Sequence, residues 1–147
     1  MKIINEMKLS FPSKSCNEAF ARAAVTAFVM NLDPTVEELS DLKTAVSEAV
    51  TNCIVHGYRH GSGTIFITAK ITEANKVTVK IRDKGCGIEN VNQAMQPLFT
   101  TAPEEERAGL GFAVMQSFSD SMKVRSAPGH GTTVTLVRRL SPRVSNV

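Results

Sequence analysis

The sequence has no tryptophan and one tyrosine, so it is poorly supplied with the aromatic platforms on which nucleic-acid bases stack. It has no apolar run near the ~20 residues that a membrane-spanning helix needs. Its three cysteines, Cys16, Cys53 and Cys86, are odd in number, widely spaced and without a CxxC pair, which leaves no sign of a zinc ribbon or dithiol centre. Unpaired thiols suit a reducing compartment, so a cytoplasmic location is expected. An excess of one charge is lacking too: the formal net charge is +3, too mild to argue for a nucleic-acid partner. The three histidines are scattered and form no metal-ligand cluster, and no Ser/His/Asp arrangement emerges. The N-terminus, MKIINEMKLSF, carries a carboxylate and alternating polarity where a signal peptide would carry an apolar block, and it reads as a strand.

What is present is enough for one domain. The 147 residues and 42% hydrophobic content can fill a single core, expected over residues 1–140 with a polar tail over 141–147. Ser15 and Glu18 have capping-box spacing and open a first helix whose apolar face is expected to carry Phe20, Ala24 and Phe28. Thr35 and Glu38 repeat that spacing and open a longer helix running to His56-Gly57, with Gly57 placed as its C-terminal cap. From Thr64 the period becomes two: Ile65, Ile67, Ala69 and Ile71 share a face, as do Val77, Val79 and Ile81, joined by a hairpin at Glu73-Ala74-Asn75. Residues 88–107 show no sustained period and read as a long functional loop. A helix follows over about 109–119, then strands around 122–126 and 132–137. This order predicts helices layered on one face of a mixed sheet.

Glu48 and Asn52, at i and i+4, lie on one face of the second helix, roughly 5–6 Å apart at Cβ. They flank the apolar stripe of Leu42, Val46, Ala49 and Cys53. A carboxylate beside an amide oxygen can orient a nucleophile and hold a hard cation such as Mg²⁺, although such a pair also occurs as an ordinary solvated contact. Counting by twos from Val77 puts Asp83 on the buried face, where a carboxylate needs a hydrogen-bonding partner. An adenine amine would suit it, and so would a local turn in Asp83-Lys84-Gly85-Cys86-Gly87. Gly109-Leu110-Gly111-Phe112 opens a helix, where free backbone N–H groups favour phosphate. Thr100, Thr101 and Arg107, in the preceding loop, are donors able to close over phosphates. Gly129 to Thr133 reads as a hairpin turn, with a nucleotide contact from Thr132 as the lesser alternative.

E-x-x-x-N on a helix, DxGxG after a strand, a long lid and GxG opening a helix, in that order, resemble the ATP-binding superfamily of gyrase B, histidine kinases and MutL. SEAVTNCIVHGY, PLFTT and NEAFARAAVTAF look, within it, like the bacterial anti-sigma factor kinases, over nearly the whole chain. The resemblance implies an α+β fold, a two-layer α/β sandwich of the Bergerat type with a mostly antiparallel sheet. It implies a homodimer that sequesters a sigma factor and a serine kinase that phosphorylates an anti-anti-sigma partner with Mg²⁺ and ATP. By motif position Asn52 would ligand Mg²⁺ and Asp83 would recognise adenine. Gly85, Gly87, Gly109 and Gly111 would shape the nucleotide pocket, and Glu48 would serve as general base. Arg22, in the helix this family uses for protein contacts, would meet the partner. A detached histidine-kinase domain would need a preceding helix pair with a phosphoacceptor His, and a gyrase-type ATPase a following transducer domain. Neither pattern is expected here.

Overall fold

The computed structural model describes residues 2–59, 61–95 and 111–142. Five strands form one sheet in the order β1-β2-β3-β5-β4, with every neighbouring pair antiparallel. They are β1 (Ile3–Pro12), β2 (Thr64–Thr72), β3 (Lys76–Asp83), β4 (Ser121–Ser126) and β5 (Thr132–Arg139). The helices are α1 (Asn17–Val29), α2 (Val36–Asn52) and the short α3 (Val91–Ala94), with a further helical run over 111–117. None is long and apolar enough to cross a membrane.

The strand alternation sets the layers. Ile65, Ile67, Ala69 and Ile71 of β2, with Val77, Val79 and Ile81 of β3, are buried on one sheet face. Side chains of a strand alternate between faces, so the intervening residues stay on the open side. Onto the apolar face pack Ala21, Val25 and Val29 of α1, with Leu42, Ala45, Val46, Ala49 and Val50 of α2. Burying each of the valine, leucine and isoleucine side chains contributes roughly 1.5–3 kcal/mol, which makes this layer contact the main source of stability. The α1 stripe is displaced from the expected one: Phe20 is 52% exposed, and Ala21, not Phe20, meets the sheet. Phe20 instead lies edge-on to Phe11, ring centroids 6.4 Å apart.

The two predicted capping boxes fare differently. Thr35 Oγ1 accepts from the Glu38 N–H at 3.0 Å, and Glu38 Oε1 accepts from the Thr35 N–H at 2.9 Å. At the first helix no side chain caps the N-terminus; Glu18 turns to Arg22 at 3.1 Å instead, a competing i,i+4 ion pair. Glu38 does more than cap, because its Oε2 accepts from the Ser141 N–H at 2.7 Å and ties the chain after β5 to α2. Burial pushes its pKa up, but the hydrogen bonds from Thr35 and Ser141 outweigh burial and leave it below the ordinary 4.5. A depressed carboxylate stabilises the fold above its unfolded pKa and loses that contribution as pH falls through its folded one. Glu38→Gln is therefore expected to lower stability by about 1 kcal/mol at neutral pH. In urea melts repeated well below pH 4.5 the gap to wild type should close; a gap independent of pH would contradict this role.

The three-residue connection between β2 and β3, Glu73-Ala74-Asn75, turns on Ala74 and Asn75, which take left-handed φ values of 62° and 56°.

Candidate active site

The second helix does not end at a glycine cap. Beyond Asn52 the chain widens into a π-helical turn, Cys53–Gly57, closed by the Tyr58 N–H to the Cys53 carbonyl at 3.0 Å. Such turns are uncommon and recur at functional sites, where they re-aim the residues at a helix end. Gly57 serves close approach here: a Cβ on it would lie 2.7 Å from the carboxylate of Asp83. A Cβ on Gly85 would strike the Gly57 carbonyl, which also accepts from the Cys86 N–H at 2.9 Å. The two glycines thus let the end of α2 and the end of β3 meet backbone to backbone.

Asp83 faces inward, as the count by twos requires, and is 3% exposed. Burial raises its pKa above the usual 3.8, opposed by hydrogen bonds from the Gly85 N–H at 2.9 Å, the Cys53 thiol and the backbone of Thr132. Burial, followed by the charge of Asp83, in turn pushes the Cys53 thiol well up, which keeps it a neutral donor. A carboxylate buried this deeply needs the hydrogen bonds that these groups supply. Thr132, also buried, pairs with Asp83 across β3 and β5, and its hydroxyl shares a 2.8 Å hydrogen bond with Ser126. Gly87, at φ 76°, lets the turn after β3 pass against the Ala127 carbonyl, where a Cβ would collide.

Tyr58 braces this turn, a role that no periodicity or motif predicts. Its hydroxyl donates to the Thr64 carbonyl at 2.6 Å and accepts from the Lys84 N–H at 2.7 Å, joining the end of the π-helical turn to the residue after Asp83. Gly63 lies against its ring so closely that no Cβ would fit. Tyr58→Phe leaves the Lys84 N–H without this acceptor, and a cost of about 1 kcal/mol is expected in chemical denaturation. If Tyr58 also positions Asp83, the preference for ATP over an analogue lacking the adenine amine should shrink. An unchanged preference would make the hydroxyl a stability element alone.

Glu48 stands on the other flank of α2. With Ser47, Thr51, Ile54 and Val55 it lines a groove of about 380 Å³ that Ser15 and Glu18 close from the α1 side. A Cβ on Gly111 would come within 3.3 Å of Glu48 Oε2, so the start of the 111–117 helical run abuts this carboxylate. Phe112, expected at the nucleotide, is 1% exposed and packs in the core. Arg22 reaches the same groove, 3.1 Å from Glu18 and 3.3 Å from the Ser47 hydroxyl. The fold thus brings Glu48, Gly111 and Arg22 together, and separately Asp83, Gly85 and Thr132. Thr100, Thr101, Arg107, Gly109 and Leu110 lie outside the described residues. Asn52, the last residue of α2, is half-buried.

No group of three or more His, Cys, Asp or Glu side chains able to hold a metal occurs among the described residues. The donor set nonetheless fits Mg²⁺, which takes one or two protein oxygens and completes its shell with water and phosphate. The Asn52 amide oxygen, one turn from Glu48, is such a donor.

A sheet with helices on one face, a carboxylate sunk at the end of a central strand and glycines pressed against the neighbouring helix define an ATP-binding domain of the histidine kinase-like class. The family model for the histidine kinase-like ATPase domain matches residues 11–138. The anti-sigma F factors of Thermoanaerobacter sp. (strain X514) and Caldanaerobacter subterraneus are each 57% identical over 94% of this chain and 96% of their own length. That of Clostridium beijerinckii is 53% identical over 93% of this chain. The chain belongs to the anti-sigma F factor family. Among solved structures, the RsbU and RsbW domains of Rv1364c from Mycobacterium tuberculosis superpose with a TM-score of 0.69 at 20% identity. That match covers 97% of this chain and 34% of the larger one. A histidine kinase domain from Erythrobacter litoralis gives 0.55 at 16% identity. Both show the fold.

Proposed function

We propose that the chain inhibits a sporulation sigma factor (sigma F-like) by binding it, and that it phosphorylates a serine of a SpoIIAA-like anti-anti-sigma protein with Mg·ATP. The observation that carries the reading is the groove beside Glu48. It is lined by the carboxylates of Glu48 and Glu18, with Arg22 beside it on the Ser47 hydroxyl and Gly111 next to Glu48. A phosphoacceptor hydroxyl entering between α1 and α2 would meet Glu48, while the phosphates approach from the Gly111 side. Transfer of this kind needs positioning and charge neutralisation more than covalent help. Mg²⁺, when bound, would neutralise phosphate charge at Asn52. Glu48 then accepts the serine proton, and Arg22 holds the incoming protein. Asp83 accepts the adenine amine, with Thr132, Gly85 and Gly87 shaping its surroundings.

The cytoplasm is the place of such a switch. A homodimer is part of the reading: among the described residues no strand pairs with the outer side of β1, Ile3 and Ile4 are exposed on β1, and Phe20 is exposed on α1. Exposed edges of this length favour pairing with a second chain. Sedimentation of the purified chain with its sigma factor tests both partners at once. A dimer that captures the sigma factor in Mg·ATP is expected. Monomer alone at micromolar concentration would remove the dimer, and no capture in either nucleotide would remove the anti-sigma assignment.

A further inference from the structure

The face of the sheet turned away from the helices is strongly basic. β3 presents Lys76, Lys80 and Arg82 there, and Lys84 follows in the turn. β4 adds Lys123 and Arg125, β5 adds Arg139, and the other two strands contribute Lys70 and Lys8. More than half of the chain's 17 Lys and Arg side chains therefore lie on one face. Among the described residues, Glu6 is the strand carboxylate that shares it, and it meets Lys8 and Lys70 at 3.8 and 3.9 Å. Arg138, one residue out of phase, points the opposite way and pairs with Asp41 of α2 at 3.1 Å. The mild net charge of +3 is the balance of a basic sheet face and a more acidic helix layer.

The charges are in register. Lys80, Thr135 and Lys123 occupy one cross-strand row, and Arg82, Thr133 and Arg125 the next. Two strand spacings separate the cations of a row, about 10 Å, and the rows are about 7 Å apart along the strands. The four cations are exposed, and the two threonines form a hydroxyl-bearing floor between them. The face has few apolar anchors. Phe66, its aromatic, is covered by Arg82 at 5.3 Å and Lys84 at 5.2 Å. Tight protein partners depend on buried aromatic and apolar hot spots, which this surface does not offer. A trough of cations and hydroxyls fits a line of phosphates.

We infer that the open sheet face binds the phosphate backbone of nucleic acid without reading its sequence. Composition argued against such a partner because it counts charges without placing them; the antiparallel register places them together. The inference is independent of the kinase reading, since these side chains lie on the face opposite the α1–α2 groove.

The test is fluorescence anisotropy with a labelled DNA duplex of arbitrary sequence, titrated with the full chain across a series of salt concentrations. Four phosphate contacts predict a log–log salt slope of about −3 to −4, with weak affinity at physiological salt. Replacing all four cations (Lys80→Gln, Arg82→Gln, Lys123→Gln and Arg125→Gln) should weaken binding at least about tenfold and flatten the slope, while each single change reduces it by about one. Thermal melting and ATP affinity of the variants should match wild type, which separates loss of the surface from loss of the fold. No binding by wild type at low salt, or undiminished binding by the fourfold variant, would overturn the inference. Displacement of the DNA by polyglutamate at equal charge concentration would overturn it in favour of an acidic protein partner.

Discussion

Asp83→Asn is expected to weaken ATP binding about 10- to 100-fold while leaving the nucleotide-free protein at least as stable as wild type. The two effects have one cause. Asn keeps an oxygen for the Gly85 N–H at 2.9 Å, so the turn after β3 is preserved. What disappears is a charged acceptor, and hydrogen bonds to charged groups contribute about 1.5–3 kcal/mol. The stability effect follows from the raised pKa: a carboxyl that holds its proton more tightly when folded penalises the fold once pH rises above its unfolded value of 3.8. At neutral pH the Asn variant escapes that penalty. The difference should shrink as pH is lowered towards 3.8. Calorimetry for nucleotide affinity and thermal melts of the apoprotein at two pH values check both halves. A variant that binds ATP normally would show that Asp83 serves the turn alone.

Glu48→Gln should leave nucleotide affinity nearly intact and slow phosphoryl transfer by about 10²–10⁴, the usual contribution of a positioned general base. Glutamine matches the volume of glutamate, so the contact with Gly111 is retained. The hydroxyl of the incoming serine would still be positioned, but its proton would have no acceptor. Single-turnover transfer with saturating partner separates this from a docking defect. Arg22→Ala, in contrast, should raise the partner concentration needed and leave the saturated rate close to wild type. Equal losses in both variants would mean that the groove docks the partner and does no chemistry.

The sheet was legible because its two-residue period runs unbroken through Ile65 to Ile71 and Val77 to Ile81, and Asp83 fell on the buried face by the same count. The capping box at Thr35 was legible because Glu38 answers Ser141 with its second oxygen and keeps the first for the Thr35 N–H. At Ser15 the identical spacing failed, since Glu18 has Arg22 one turn on. Phe20 misled for a related reason: hydrophobicity alone placed it inward, whereas the smaller Ala21 allows α1 to approach the sheet. The site was half legible. Glu48, Asn52, Asp83 and the glycines carry local patterns. The link from Tyr58 to Lys84 spans 26 residues and leaves no periodic trace. The meeting of Arg22 with Ser47 across two helices, and the basic rows of the open sheet face, exist only once α1, α2 and the strands have found their partners.

Phosphoryl transfer is tested by incubating the chain with γ-labelled Mg·ATP and its anti-anti-sigma partner and mapping the labelled residue. Label is expected on one partner serine, transferred by wild type and lost in Glu48→Gln despite retained ATP binding. A partner that binds in the presence of ATP yet never acquires label would contradict it, and would leave a nucleotide-gated binding protein in which Glu48 has no catalytic part.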